Sequence, residues 1–71
     1  MHHEGKVARV TEIVADSTES FEDAIMTGFK RASKTLRGIT GLRVKEQYAE
    51  VSEGTILKVR VTLDVKFILE G

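Results

Sequence analysis

"TILKVRVTLDVKFIL", residues 55–69, alternates with a period of two: Leu57, Val59, Val61, Leu63, Val65, Phe67 and Leu69 share one parity, and Lys58, Arg60, Thr62, Asp64, Lys66 and Ile68 the other. Such alternation predicts a long strand with one buried face. Immediately before it, "SEGT", residues 52–55, places Glu53 and Gly54 at the centre of a two-residue hairpin turn. Residues 41–51 then read as the strand that pairs with it. Pairing Ser52 with Thr55 sets the register: Arg43 faces Asp64, Val44 faces Leu63 and Gln47 faces Arg60.

Upstream of the hairpin, the period changes to that of a helix. Phe21, Ala24, Ile25, Gly28, Phe29, Ala32 and Leu36 form one apolar stripe, and Ser20 followed by Asp23 has the spacing of a capping box, with Asp in place of Glu or Gln. Glu19, Glu22 and Asp23 near the start, with Lys30, Arg31, Lys34 and Arg37 toward the end, suit the helix macrodipole. Gly38 stands where a left-handed C-cap is expected. Residues 6–15, "KVARVTEIVA", are apolar and β-branched enough for a first strand. The order is β-α-β-β, an α+β domain in which a three-stranded antiparallel sheet partly wraps one helix.

Composition narrows the function classes. Eleven Lys and Arg balance eleven Asp and Glu, so no overall field draws the chain to nucleic acid or an acidic membrane. No Cys is present for disulfides or thiolate metal sites, and no apolar run reaches the 18 or more residues of a span. The chain contains no Pro and no Gly/Ser-rich linker. It reads as a single domain over residues 1–71, with residues 1–5 expected to be disordered and a cytoplasmic location expected. His2 and His3 are candidate transition-metal ligands or simply a terminal pair without function.

Size adds a constraint. A domain this small buries only about 60% of its unfolded surface, and a strand of about 14 residues extends on the order of 45 Å. The compactness rule gives a globule of this length a radius of gyration of about 11 Å. The last strand must therefore overhang its own domain, and an unpaired strand is a template for another chain. A closed homo-oligomer is expected.

In a chain of this length, "DSTESFEDAI" (16–25), "RASKTLRGI" (31–39), "LRVKEQ" (42–47) and "VTLDVKF" (61–67) resemble the dodecins along almost the whole sequence. The resemblance implies a hollow homododecamer of 23 symmetry, a small-molecule ligand (FMN or riboflavin in many members) and no enzymatic turnover. Flavin-binding members carry a stacking Trp at the position of Gly41 and a Gln at the position of Arg60, which contacts the flavin edge. Both are replaced here. Glu46 matches an acidic residue near the flavin and Gln47 the Gln after it, so the flavin-site positions are Gly41, Arg43, Glu46, Gln47 and Arg60. An aromatic stack is worth about 0.5–1.5 kcal/mol beyond area burial, so two lost faces cost roughly ten- to hundredfold in affinity. The pattern is closer to members lacking the Trp, for which calcium binding has been proposed.

Each candidate also has a plainer account. Gly41 opens a ligand niche or merely eases entry to the second strand. Arg60 offers a guanidinium fork to an anion or pairs with a neighbouring acid. Glu46, Tyr48 and Glu50 share one face by period-two spacing, and in the register above that face meets the apolar side of the last strand. Glu46 and Glu50, repeated around a symmetry axis, suit a hard cation such as calcium; the alternative is inter-subunit ion pairs. No nucleophile or His accompanies them, so acid–base catalysis is not expected.

Overall fold

The computed structural model describes residues 6–69. The expectation of disorder for residues 1–5, and the candidate ligands His2 and His3, lie outside the described residues. Within them the order is β1 (Ala8–Ser17), α1 (Phe21–Ser33), β2 (Ile39–Ser52) and β3 (Thr55–Ile68). β3 is the central strand, antiparallel to β1 on one side and β2 on the other.

One face of β3 makes the core. Val61, Leu63 and Val65 are fully buried beneath α1, with Ala15 of β1 and Ala24 of the helix. The helix meets the sheet at Gly28, where an added Cβ would lie 3.0 Å from the Leu63 side chain and 3.3 Å from Ala15 Cβ. Glycine is placed there for close approach, not for an unusual backbone angle. α1 rests chiefly on β1 and β3. On the same side of β2, Leu42 and Val44 are left more than a third exposed.

Ser17 organises the start of the helix. Ser20 caps it, its Oγ accepting the Asp23 N–H at 2.9 Å. The return half of the expected capping box runs through the buried Ser17 hydroxyl, which donates to Asp23 Oδ2 at 2.7 Å and accepts the N–H groups of Glu19 and Ser20. The helix ends earlier than the apolar stripe suggests, at Ser33, with Lys34 as a right-handed C-cap. Leu36 lies beyond it. Gly38 does have positive φ, at 72°, but its role is different from the expected helix cap: it turns the chain into β2, and its carbonyl accepts the Ile68 N–H at 3.0 Å.

The hairpin turn is the one expected, with positive φ at both Glu53 and Gly54 as a two-residue turn of the primed type requires. Its register is not constant. Ser52–Thr55, Val44–Leu63 and Arg43–Asp64 pair as expected, but Gln47 lies opposite Val61 and Tyr48 opposite Arg60. Three unmatched residues cause this: Leu57 in β3, and Lys45 and Thr40 in β2. Each is a bulge, and each exchanges the faces of the residues around it.

β1 ends opposite Val59, so the rest of the hairpin runs on as a two-stranded arm. Its side chains Val51, Ile56 and Leu57 are each at least half exposed. The molecule measures 62 × 21 × 14 Å with a radius of gyration of 15.5 Å, well above the compact value, as the overhang argument requires.

Two substitutions test this account by urea unfolding at fixed protein concentration. Ser17→Ala, which strands the Glu19 and Ser20 amides, should lower stability by about 1–3 kcal/mol. Gly28→Leu, which overfills the contact with Leu63, should cost about 1–3 kcal/mol despite the better helix propensity of Leu.

Candidate functional site

Residues paired directly across strands share a face, so the registers sort the candidates. Gly41 pairs with Lys66, Arg43 with Asp64, Glu46 with Thr62, Tyr48 with Arg60 and Glu50 with Lys58. All belong to the face of the sheet away from α1, where β1 contributes Val10, Glu12, Val14 and Asp16. The sheet thus brings four of the five candidate flavin-site positions, Gly41, Arg43, Glu46 and Arg60, onto one surface. Gln47, opposite the buried Val61, is on the helix side and does not join them.

The expectation that Glu46, Tyr48 and Glu50 meet the apolar side of β3 is corrected by the same bulges. Lys45 is the extra residue between Val44 and Glu46, so those two lie on opposite faces although two residues apart. The carboxylates therefore stand among Thr62, Arg60 and Lys58. The oddity of acids facing an apolar strand was itself the signal that a bulge intervenes.

Gly41 lies toward one end of this surface, near the start of β2. A Cβ there would have nothing within 4 Å, so the position is open and any side chain would fit. Around it is a depression of about 310 Å³ bordered by Val10, Arg43, Asp64 and Lys66. Arg60 is elsewhere. It lies six residues from Lys66 along β3, about 20 Å at strand rise, so a single subunit does not bring Gly41 and Arg60 to one ligand.

Arg60 is held by an acid that the sequence reading passed over. Its Nε donates to Asp16 Oδ1 at 2.7 Å and its Nη2 to Oδ2 at 3.1 Å, a two-point clamp across β1 and β3. Lys58 Nζ joins at 3.2 Å from Asp16 Oδ2 and 3.7 Å from Glu50 Oε1. The Arg60 hydrogen bonds, followed by Lys58, hold the Asp16 carboxyl at about 2, below its ordinary 3.8. Because the folded value is depressed, this contribution is present above the unfolded value and is lost as pH falls through about 2. The same contact raises Arg60 above its usual value. Nothing in the local sequence marks Asp16 as the partner, since 44 residues separate it from Arg60 and only the β1–β3 pairing joins them.

As metal ligands the two glutamates are divided. Glu46 and Glu50 lie four residues apart on one strand, roughly 13 Å, and Glu50 is engaged by Lys58. Among the described residues no three His, Cys, Asp or Glu side chains converge as a metal site, and Glu46 has no ion-pair partner. Also among the described residues, no helix is long and apolar enough to cross a membrane.

Comparison with known proteins agrees with this architecture. The family model described as Dodecin matches residues 7–70. A curated dodecin of Thermus thermophilus is 39% identical over 66 residues, covering 93% of this chain and 96% of the relative. Among solved structures, a variant of the T. thermophilus dodecin superposes with a TM-score of 0.88 at 39% identity, covering 94% of this chain and 100% of that one. A dodecin of Streptomyces coelicolor gives a TM-score of 0.89 at 29% identity, covering 97% and 99%. The calcium dodecin of Mycobacterium tuberculosis, described as a calcium-chelating antigen with a novel calcium-binding site, gives 0.77 at 32% identity over 90% and 91%. With the fold, the length and these identities in agreement, the chain belongs to the dodecin family.

Proposed function

We propose that this protein is a non-enzymatic small-ligand binding and storage protein that works in the cytoplasm as a homododecamer of 23 symmetry, each subunit a single domain over residues 1–71. Its ligand is FMN or riboflavin, held in an altered and weakened site. The observation that carries this reading is the open position at Gly41 on the same sheet face as Arg43, Glu46 and Arg60. Family resemblance puts the flavin-stacking residue at that position, and the space for a ring is there while the stacking partner is not.

At about 20 Å apart within a subunit, Gly41 and Arg60 serve one ligand from different copies, which is why the assembly matters to binding. Arg60 reaches a ligand only by exchanging its bonds to Asp16, and this makes the site weaker than one lined by an unengaged neutral amide. The shell needs no partner besides itself and the ligand, and acts on neither nucleic acid nor membrane.

A second reading is favoured by Glu46, whose carboxylate has no ion-pair partner among the described residues, and by the kinship with a calcium dodecin. Here the flavin site is vacated and the shell holds calcium through carboxylates of symmetry-related copies, or serves as a scaffold alone. Oxygen donors of this kind suit a hard cation.

Titration of riboflavin and FMN fluorescence separates the readings. The wild-type assembly should quench both flavins weakly, and Gly41→Trp should bind roughly ten- to hundredfold more tightly, the worth of two restored stacking faces. Asp16→Asn, which frees Arg60, should also tighten flavin binding. If the wild type does not quench while Gly41→Trp does, calorimetric binding of calcium that is lost in Glu46→Gln establishes the second reading. Absence of quenching in both proteins rejects the flavin site altogether.

A further inference from the structure

The depression at Gly41 is walled by two cations. Arg43 and Lys66 border it, with Asp64 and the apolar Val10 also in its lining. Lys66 pairs directly with Gly41 across the strands, and Arg43 pairs with Asp64. Arg43 and Lys66 are therefore diagonal neighbours on one face, about 7–8 Å apart at the backbone, a separation that long side chains span. Both are exposed. Gly41 has no side chain to cover the spot between them, so a group lying over it is within reach of both charged heads.

Neither cation is engaged. Among the described residues, the ion pairs of this face join Lys45 to Glu12, Lys58 to Asp16 and Glu50, and Arg60 to Asp16. Glu12, which the register sets opposite Asp64, is thus held by Lys45. Asp64 stands directly across from Arg43 and forms no ion pair with it or with Lys66. Glu46 lies farther along, opposite Thr62, and does not line the depression. Two positive groups therefore face one carboxylate in a concave spot, and the missing complement is an anion. An Arg fork beside a Lys point charge suits the oxygens of a phosphate, and a phosphate monoester carries about −1.5 to −2 charge near neutral pH.

We propose that Lys66 and Arg43 form an anion subsite for the phosphate of FMN, so that the protein takes the phosphorylated flavin in preference to riboflavin. The inference deepens the flavin reading above and rests on it. The two flavins share one ring, so the missing stacking face at Gly41 weakens both alike. Only FMN carries a charge for Lys66 and Arg43 to hold. The subsite thus replaces part of what stacking would contribute, and does so for one of the two ligands. Asp64 works against it, since its carboxylate stands beside the same two cations.

The test is the ratio of the riboflavin and FMN dissociation constants, from fluorescence titrations at low ionic strength. The wild type should bind FMN about tenfold more tightly, the worth of one charge-assisted hydrogen bond, and the ratio should shrink as salt is raised. Lys66→Gln and Arg43→Gln, with circular dichroism unchanged, should each bring the ratio toward one, and Asp64→Asn should raise it. Gly41→Trp holds the common ring more tightly and should show the same preference, so the subsite is read even where the wild type binds too weakly to titrate. A ratio of one, or a loss in Lys66→Gln and Arg43→Gln that both flavins share equally, overturns this inference alone. If neither the wild type nor Gly41→Trp quenches either flavin, the flavin reading falls and this inference with it.

Discussion

One helix is wide enough for two strands and the sheet has three. An α-helix with its side chains is about 10 Å across and strands lie about 4.8 Å apart, so α1 covers β1 and β3 and leaves β2 only partly covered. The rest of the subunit follows from that mismatch. Val61, Leu63 and Val65 are fully buried because they are central and under the helix, whereas Leu42 and Val44, equally apolar and on the same side, are not. The hairpin then carries the exposed surface farther, past the end of β1, where Val51, Ile56 and Leu57 are each more than half exposed. A chain arranged in this way has a small core and a large apolar surface that its own helix does not cover.

Beside the apolar packing of Phe21 and Ile25 against the core, small and polar groups fasten the helix to the sheet. Gly28 lets the helix descend onto Leu63, and the Ser17 hydroxyl ties the end of β1 to the first turn through Asp23 and two backbone amides. Asp16, the preceding residue on the opposite face, closes the clamp on Arg60. Two adjacent residues at the end of β1 thus serve both sides of the sheet: one orders the helix start, the other orders the face that carries the candidate ligand site.

That face is polar because β2 is bulged. Without the extra residue at Lys45, Glu46, Tyr48 and Glu50 would point at the core, and their desolvation would be costly. With it, they stand beside Thr62, Arg60 and Lys58, and Lys45 reaches across to Glu12 at 2.7 Å. The bulges also set which candidate residues share the surface. They keep Gly41, Arg43 and Glu46 together on the open face, turn Gln47 away, and leave Arg60 too distant to act with Gly41 inside one subunit.

Much of this was legible in the residues alone. The period-two run from residue 55 to residue 69, the Glu53–Gly54 turn and the helical stripe from Phe21 determined the elements, their order and the overhang, because each depends on local geometry repeated along the chain. The pairings near the turn, and again at Arg43 and Val44, were legible for the same reason. Tertiary structure decided what depends on residues far apart. The bulges at Leu57, Lys45 and Thr40 arise from fitting β2 to β3 while acids are kept out of the core, and period-two reading carries no term for an inserted residue. Gly38 was recognised by its freedom to take positive φ, but whether it capped the helix or opened β2 was settled by Ile68, thirty residues away. The hold of Asp16 on Arg60 exists only because β1 lies beside β3, a pairing that brings together charges from the two ends of the chain.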